Sequence, residues 1–306
     1  MKIVSALSEV KASPLLLTFG NFDGVHQGHQ KLIKDLVKEK KETGATLVLC
    51  TFIPHPRKVI TPELKHFLIY SYAQRRSLLQ QLGVDYLVEI PFNIALRNKE
   101  AQDFLKNDLG AIHSIFKIKV GNDFSFGKDK LGSLKLLQDF CEEYKIKIEQ
   151  EDAFCFEGKK ISSTLIREYL SQGDVHLAGE LLGHPYFVQS EVVKGESKGT
   201  KIGFPTANFV LDEDLIYPAS GVYVTQTLFE NKLFYSVTHI GDKPTWNQEN
   251  KIFFETHILD FSEDIYAKNI KVTFYKKIRD VMKFSSVEEL CNQIKKDIFM
   301  AREFFR

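Results

Sequence analysis

The sequence predicts an α/β domain built on a parallel sheet, followed by an antiparallel β-barrel that ends in a helix. Three features predict it. Apolar strands alternate with amphipathic helices up to about residue 150. From about residue 185, strands follow one another closely, joined by polar or Gly-containing turns. Residues 286–304 then read as one amphipathic helix. Strands separated by helices imply parallel pairing with helices on both faces, whereas closely spaced strands favour antiparallel pairing.

In the first region LLLTF (15–19) reads as a buried strand and Gln30–Glu42 as a helix. TLVLCTF (46–52) is the next strand, a helix spans Tyr72–Leu82, and DYLVEI (85–90) follows as a strand. A helix over Glu100–Leu105 precedes the strand FKIKVG (116–121). SLKLLQDFCEEY (133–144) is helical and KIKIEQ (145–150) is a strand. STLIREYL and DVHLAGELLG form two short helices within 161–183. Gly183, His184 and Pro185 then punctuate the chain and place a domain boundary there, giving domains 1–184 and 185–306. Beyond it FVQSEVVKG, GVYVTQTLF, KLFYSVTHI, KIFFETHIL and NIKVTFYKKI are the strands of the barrel. No internal repeat or low-complexity tract interrupts the pattern.

The 306 residues carry a net charge of +1. That near-neutral balance argues against a dedicated nucleic-acid binder and against attraction to an anionic membrane. No stretch approaches the roughly 18 apolar residues needed to span a bilayer. The apolar run near the start leads directly into Gly20 and Asn21 rather than into a small-residue cleavage site, so a cytoplasmic protein is expected. Cys50, Cys141, Cys155 and Cys291 show no CxxC pairing, which points to idle thiols rather than a zinc site or a disulfide framework.

FGNFDGVHQGH (19–29) lies where the first strand ends and the first helix begins. Open parallel sheets bind ligands beyond the carboxyl ends of their strands. Gly20, Gly24 and Gly28 let the backbone turn tightly and approach phosphate, with Asn21, Phe22 and Asp23 between them. The helix start offers unpaired N–H groups and a partial positive charge. His26 and His29, three apart, can face one ligand there and donate hydrogen bonds to phosphates.

In the second region the run KIGFPTANF (201–209) is the strongest motif; a chance match to GFPTAN is on the order of one in ten million. Thr206 and Asn208 alternate along an extended segment, so both can point to one side as oxygen ligands suited to Mg²⁺. Pro205 stiffens the entry, beside Gly203 and Phe204. Glu255 lies in the apolar run FFETHIL, where a carboxylate is costly unless it is exposed or functional. His257 faces the same side, as packing or support.

GNFDGVHQGH resembles the ATP-binding signature of the bacterial bifunctional riboflavin kinase/FAD synthetase family. TFIPHPRKVI, LGVDYLVEIPF, VGNDFSFGKDKLGSLKLL and ISSTLIREYL resemble that family's further segments in the expected order, and GFPTAN its riboflavin kinase signature. The resemblance covers nearly the whole chain. It implies a Rossmann-like nucleotidyltransferase domain and a riboflavin kinase barrel with a terminal helix. It implies phosphorylation of riboflavin to FMN, then adenylyl transfer from ATP to FMN to give FAD, with Mg²⁺ as the metal. His26 and His29 would act on the phosphates, and Ser163, Thr164 and Arg167 would join them. A guanidinium offers phosphate a bidentate fork, and Ser163 suits a helix cap as well. His55 and Pro56, with Asp123, Phe124 and Phe126, would meet FMN. His55 between two prolines is a ligand contact or a turn residue, and the two phenylalanines flank a flavin ring or pack in the core. Glu255 would be the base that deprotonates the riboflavin 5′-hydroxyl.

Several positions depart from the family pattern in the kinase half. Thr200 stands where the family usually has Arg, His239 where it has Asn, Lys243 falls in the altered segment HIGDKPT, Ala267 replaces a Gly, and Val281 replaces a Glu. They leave Thr206, Asn208 and Glu255 intact and bear on kinase efficiency. The alternative they raise is an FMN adenylyltransferase with a weakened or inactive kinase domain.

Overall fold

The computed structural model describes residues 1–195, 198–242 and 252–306. They group into two compact units. One comprises Met1–Leu64 and Tyr70–Ser162, the other Lys65–Ile69 and Ser163–Arg306.

The first unit contains the six-stranded sheet β1 (Lys2–Val4), β2 (Leu15–Phe19), β3 (Thr46–Ile53), β4 (Tyr86–Pro91), β5 (Ile115–Gly121) and β6 (Lys147–Glu151). Its order is β1-β4-β3-β2-β5-β6 and every pairing is parallel. Helices α1 (Gln27–Thr43), α2 (Pro56–Ile60), α3 (Tyr72–Gln81), α4 (Ile94–Arg97), α5 (Ala101–Asp103) and α6 (Leu134–Glu143) connect the strands. A small hairpin, β7 (Cys155–Phe156) with β8 (Lys159–Lys160), follows.

Alternation along β2 explains why helices cover both faces. Leu15, Leu17 and Phe19 join one core with Val48, Cys50, Val88 and Phe140, while Leu16 joins another with Leu47, Leu49 and the α1 residues Leu32, Ile33 and Leu36. A strand apolar on both sides is stable only between two layers. Helix α1 begins earlier than the expected Gln30, because His26 caps it by accepting from the His29 backbone N–H. The expected helix over 100–105 is α5 continued by a π-helical turn, Phe104–Leu109. Strand β6 starts at Lys147 rather than Lys145, because Lys145 takes a left-handed turn at φ 55°.

In the second unit α7 (Ser163–Gln172) and α8 (Val175–Leu182) precede the barrel. The barrel strands are β9 (Phe187–Glu191), β10 (Ala207–Phe209), β11 (Gly221–Phe229), β12 (Lys232–Asp242), β13 (Ile252–Ile258) and β14 (Asn269–Arg279). Their order is β10-β13-β12-β11-β14-β9, all antiparallel, and a bridge between Val193 and Asn208 joins the two ends. A short helix α9 (Lys198–Lys201) lies between β9 and β10, and α10 (Val287–Phe304) packs on β11 and β12. The three-residue strand β10 was not legible as a strand in the sequence.

Inside the barrel, Tyr223, Ile240, Phe254, Val272 and Phe274 are fully buried. A ladder of buried hydroxyls crosses them: Thr225 to Ser236 at 2.8 Å and to Thr238 at 2.9 Å, Thr227 to Ser236 at 2.9 Å, Thr238 to Thr256 at 2.8 Å. Mutual pairing offsets the desolvation of groups that water cannot reach. On α10, buried Asp297 receives Arg279 through Nε at 3.1 Å and Nη2 at 2.8 Å.

Ala267 is exposed and left-handed at φ 56°, with its N–H donating to Val192 O at 3.0 Å. A Cβ there costs roughly 1–2 kcal/mol, against about 0.4–1 kcal/mol for the freer unfolded chain of glycine. Ala267→Gly is expected to stabilise the protein by about 1 kcal/mol. Thermal unfolding of the two proteins checks this; an unchanged or lower midpoint would show that the methyl is not strained.

Candidate active sites

From β2 the chain moves outward to β3 and β4, then returns to β5 on the opposite side of β2. The loops leaving β2 and β5 therefore diverge, and such a switch point opens a crevice at the carboxyl edge of a sheet. Gly20–Gly28 leaves β2 and Asn122–Phe126 leaves β5, and the rings of Phe19 and Phe124 meet at 5.9 Å.

Gly20 donates to Cys50 O at 3.1 Å. The chain then reverses through Phe22, Gly24 and Val25, at φ 49°, 79° and 44°. Gly24 is at ease there, and the two side-chain residues are held by burial. The turn delivers His26 to the N-cap of α1, with the His29 backbone N–H 3.4 Å from its Nδ1. The two imidazoles stack at 3.6 Å and 15°, across the first helical turn beside Gly28. Phe22 meets His29 edge-on at 5.2 Å. His29 retains partial surface exposure as a residue, yet its Nδ1 is enclosed and has no hydrogen-bond partner in the described structure. Burial first, then the charges of His26 and Arg75, hold its pKa well below the usual imidazole value. The ring is neutral at pH 7 and keeps one N–H to donate.

The Asn21 carbonyl accepts from Thr51 Oγ1 at 3.3 Å and from Arg75 Nη1 at 2.9 Å. Arg75, 2% exposed, also places Nη2 3.5 Å from Glu89 and its guanidinium 5.0 Å from the Tyr72 ring. Arg76 grips the same Glu89 through Nε at 3.0 Å and Nη2 at 2.5 Å. Arg75, Glu89 and Tyr72 were overlooked in the sequence. The available signal was Glu89 within the apolar run YLVEIP, the same signal that singled out Glu255.

His55 is buried; its N–H donates to the Tyr72 hydroxyl at 2.8 Å and its Nδ1 caps α2, accepting from Arg57 N at 3.2 Å. Pro56 is the first residue of that helix. Phe124 and Phe126 stack on each other at 5.4 Å, and Phe126 meets Phe104 at 5.8 Å, so the pair rests on the core. Asp123 is exposed and pairs with Lys160 at 3.1 Å. Ser163, Thr164 and Arg167 belong to α7 of the second unit, where Arg167 donates from Nε to Phe67 O at 2.6 Å and lies 3.7 Å over the Phe67 ring.

In the barrel Asn208 of β10 lies opposite Glu255 of β13, and Glu255 lies opposite His239 of β12. Directly opposed residues share a face, so the three form a row. Asn208 is 5% exposed, its Nδ2 donates to Thr206 O at 3.1 Å, and its Oδ1 is enclosed with no hydrogen-bond partner in the described structure. Thr206 Oγ1 is 3.4 Å from the same amide. A Cβ on Gly195 would stand 2.5 Å from that amide, so glycine alone fits. His257 donates from Nδ1 to Pro205 O at 2.7 Å and meets Phe204 edge-on at 5.8 Å, which holds the segment after Gly203. Of the departures, Thr200 sits on α9, Val281 is half-exposed, and Arg279 takes Asp297 as its carboxylate; Lys243 lies outside the described residues.

A family model described as FAD synthetase matches residues 8–165, and one described as riboflavin kinase matches residues 182–305. The bifunctional riboflavin kinase/FMN adenylyltransferase of Escherichia coli K12 is 35% identical, with 100% of this chain and 98% of that protein covered. The Bacillus subtilis protein of the same description is 34% identical, with 95% and 92% covered. A crystal structure from Streptococcus pneumoniae, described as a macrolide-efflux protein, superposes with a TM-score of 0.88 at 31% identity, covering 98% of each chain. Among the described residues, no helix is long and apolar enough to cross a membrane.

Because His29 binds a proton less readily folded than unfolded, stability is full above the unfolded imidazole value of about 6.5 and is lost as pH falls below it. The expected slope is up to about 1.4 kcal/mol per pH unit. Urea unfolding of wild type and His29→Gln at several pH values tests this, and the same slope in both proteins would refute it.

Proposed function

The chain belongs to the bifunctional riboflavin kinase/FMN adenylyltransferase family, and on that footing we propose how its residues divide the two reactions. The protein is a transferase that converts riboflavin to FMN and FMN to FAD, using ATP in each step. Adenylyl transfer is assigned to residues 1–184 and the kinase to 185–306. The observation that carries the first assignment is the stacked His26–His29 pair at the switch point, with His29 held neutral.

For FAD formation, the FMN phosphate is already an anionic nucleophile and needs no base. Its oxygen attacks the α-phosphorus of ATP in line, the new P–O bond forms, and the bond to pyrophosphate breaks. Loop residues Gly20–Gly28 and the start of α1 bind the phosphates, while His26 and His29 donate to the oxygens that gain charge. His55, Pro56, Asp123, Phe124 and Phe126 are assigned to the flavin side, and the exposed flanks of the phenylalanine stack suit a planar ring. Ser163, Thr164 and Arg167 are assigned to ATP on the strength of their motif.

For FMN formation, Glu255 takes the proton of the riboflavin 5′-hydroxyl, whose oxygen attacks the γ-phosphorus as ADP leaves. Thr206 and Asn208 fit Mg²⁺: both offer hard oxygen donors, and the enclosed Asn208 Oδ1 has no hydrogen-bond partner among the described residues. When bound, the ion neutralises charge on the transferring phosphate. Gly203, Phe204 and Pro205 shape the approach, held by His257. The weakened-kinase alternative gains no support, since the riboflavin kinase match spans nearly all of the barrel unit. Dependence on ATP supports a cytoplasmic protein.

Incubation with riboflavin, ATP and Mg²⁺, followed by separation of the flavins, is expected to show FMN and then FAD. His29→Ala is expected to abolish FAD formation while riboflavin phosphorylation persists. Glu255→Gln should slow riboflavin phosphorylation by about 10²–10⁴-fold and leave the conversion of supplied FMN intact. Equal loss of both reactions in either variant would contradict separate sites.

A further inference from the structure

We infer that Arg75 is a positioning residue for adenylyl transfer, fixing the nucleotide loop through the Asn21 carbonyl and tying it to the His55 segment. The inference rests on the reading that FAD forms at His26 and His29.

Arg75 Nη1 holds Asn21 O at 2.9 Å, its guanidinium lies over Tyr72, and the Tyr72 hydroxyl holds the His55 N–H at 2.8 Å. One buried side chain thus touches the loop after β2 directly and the segment after β3 through a single intermediary. Lysine could not do this, because it has one nitrogen where arginine has a planar fork and a stacking face.

The charge of Arg75 is only partly answered. Glu89 is 3.5 Å from Nη2 but is gripped more closely by Arg76, and the charge of Asp23 also favours the charged guanidinium. Nε and Nη2 make no hydrogen bond in the described structure. A buried cation in this state raises the local positive potential beneath a loop that receives a triphosphate. The groups facing His29 and Arg75 are His26, Asp23 and Phe22 on the loop, Tyr72 and Arg76 on α3, and Glu89 on β4. Burial and the charge of His26 oppose protonation of His29, and the charge of Arg75 adds to them. Arg75 therefore fixes the path of the loop and contributes to keeping its imidazole neutral.

The test uses the full chain with Arg75→Met, Arg75→Lys and His29→Ala. Steady-state FAD formation from FMN and ATP is measured across the pH range where imidazoles titrate; riboflavin phosphorylation by the same preparations is the control for the barrel, and thermal unfolding reports folding of the unit that holds Arg75. R75M is expected to lower kcat/KM for ATP by about 100-fold and to move the imidazole inflection to higher pH. R75K is expected to lose about tenfold with the inflection in place, because charge remains while the fork is gone. Wild-type ATP dependence in R75M, or a loss with no movement of the inflection, would overturn the proposal. If R75M loses both reactions through unfolding, R75K decides, and wild-type kcat/KM in R75K would overturn it. Normal FAD formation by H29A would instead remove the reading of the site on which the proposal rests.

Discussion

Strand β2 is hydrogen-bonded along both edges and buried on both faces, and everything at the first site depends on that double constraint. A strand so held cannot slide or rotate. A shift of one residue would exchange Leu16 with Leu15 and Leu17 between two cores that are both closed. Phe19 is therefore a fixed point, and the loop that follows has a set origin. The left-handed residues Phe22, Gly24 and Val25 turn that loop back within a few residues, so the first turn of α1 meets the carboxyl edge of the sheet. Two imidazoles stacked at 3.6 Å follow from this geometry.

The barrel solves a related problem differently. Its interior mixes aromatic packing with a five-member hydroxyl ladder across β11, β12 and β13. Apolar contacts tolerate small slips between strands, whereas paired buried hydroxyls do not, since a slip leaves several unpaired at about 1–3 kcal/mol each. The ladder fills the inward face. The outward face of the same strands carries Asn208, Glu255 and His239 in one row. Register fixed from inside thus places the carboxylate opposite the amide outside.

The alternation of strands and helices, the change to close-spaced strands, and both phosphate-related motifs were legible because each is local: periodicity and spacing lie within a dozen residues. What was not legible depends on tertiary context. Strand β10 has three residues, too few to show alternation, and exists because β13 and Val193 pair with it. Arg75 lies in YAQRRSLLQQ, a polar helix by composition, and nothing local separates it from Arg76, which reaches Glu89 from a far more exposed position. Val281 was legible as the loss of a Glu, but the pairing of Arg279 with Asp297 of α10 was not, because the two lie 18 residues apart. The Ala267 departure was legible as an added methyl, and its left-handed backbone gives that methyl a physical meaning.

The two candidate sites differ in the way their nucleophiles require. A phosphate monoester arrives charged, so a site that attacks with it must stabilise anions and need not remove a proton. Two imidazoles at a helix start, with His29 held neutral and a buried guanidinium nearby, suit that need. A ribityl hydroxyl arrives neutral and must lose its proton, so its site requires an accessible carboxylate beside hard oxygen donors. Glu255 is part-exposed on a strand whose next neighbour presents Asn208, whose enclosed amide oxygen has no hydrogen-bond partner among the described residues. Exchanging these equipments would disable both: a carboxylate among the first site's phosphates would repel them, and an imidazole held neutral by burial, as His29 is, would be a poor proton acceptor in the second. On the proposed assignment, the division of labour along one chain follows the protonation state in which each nucleophile reaches its phosphorus.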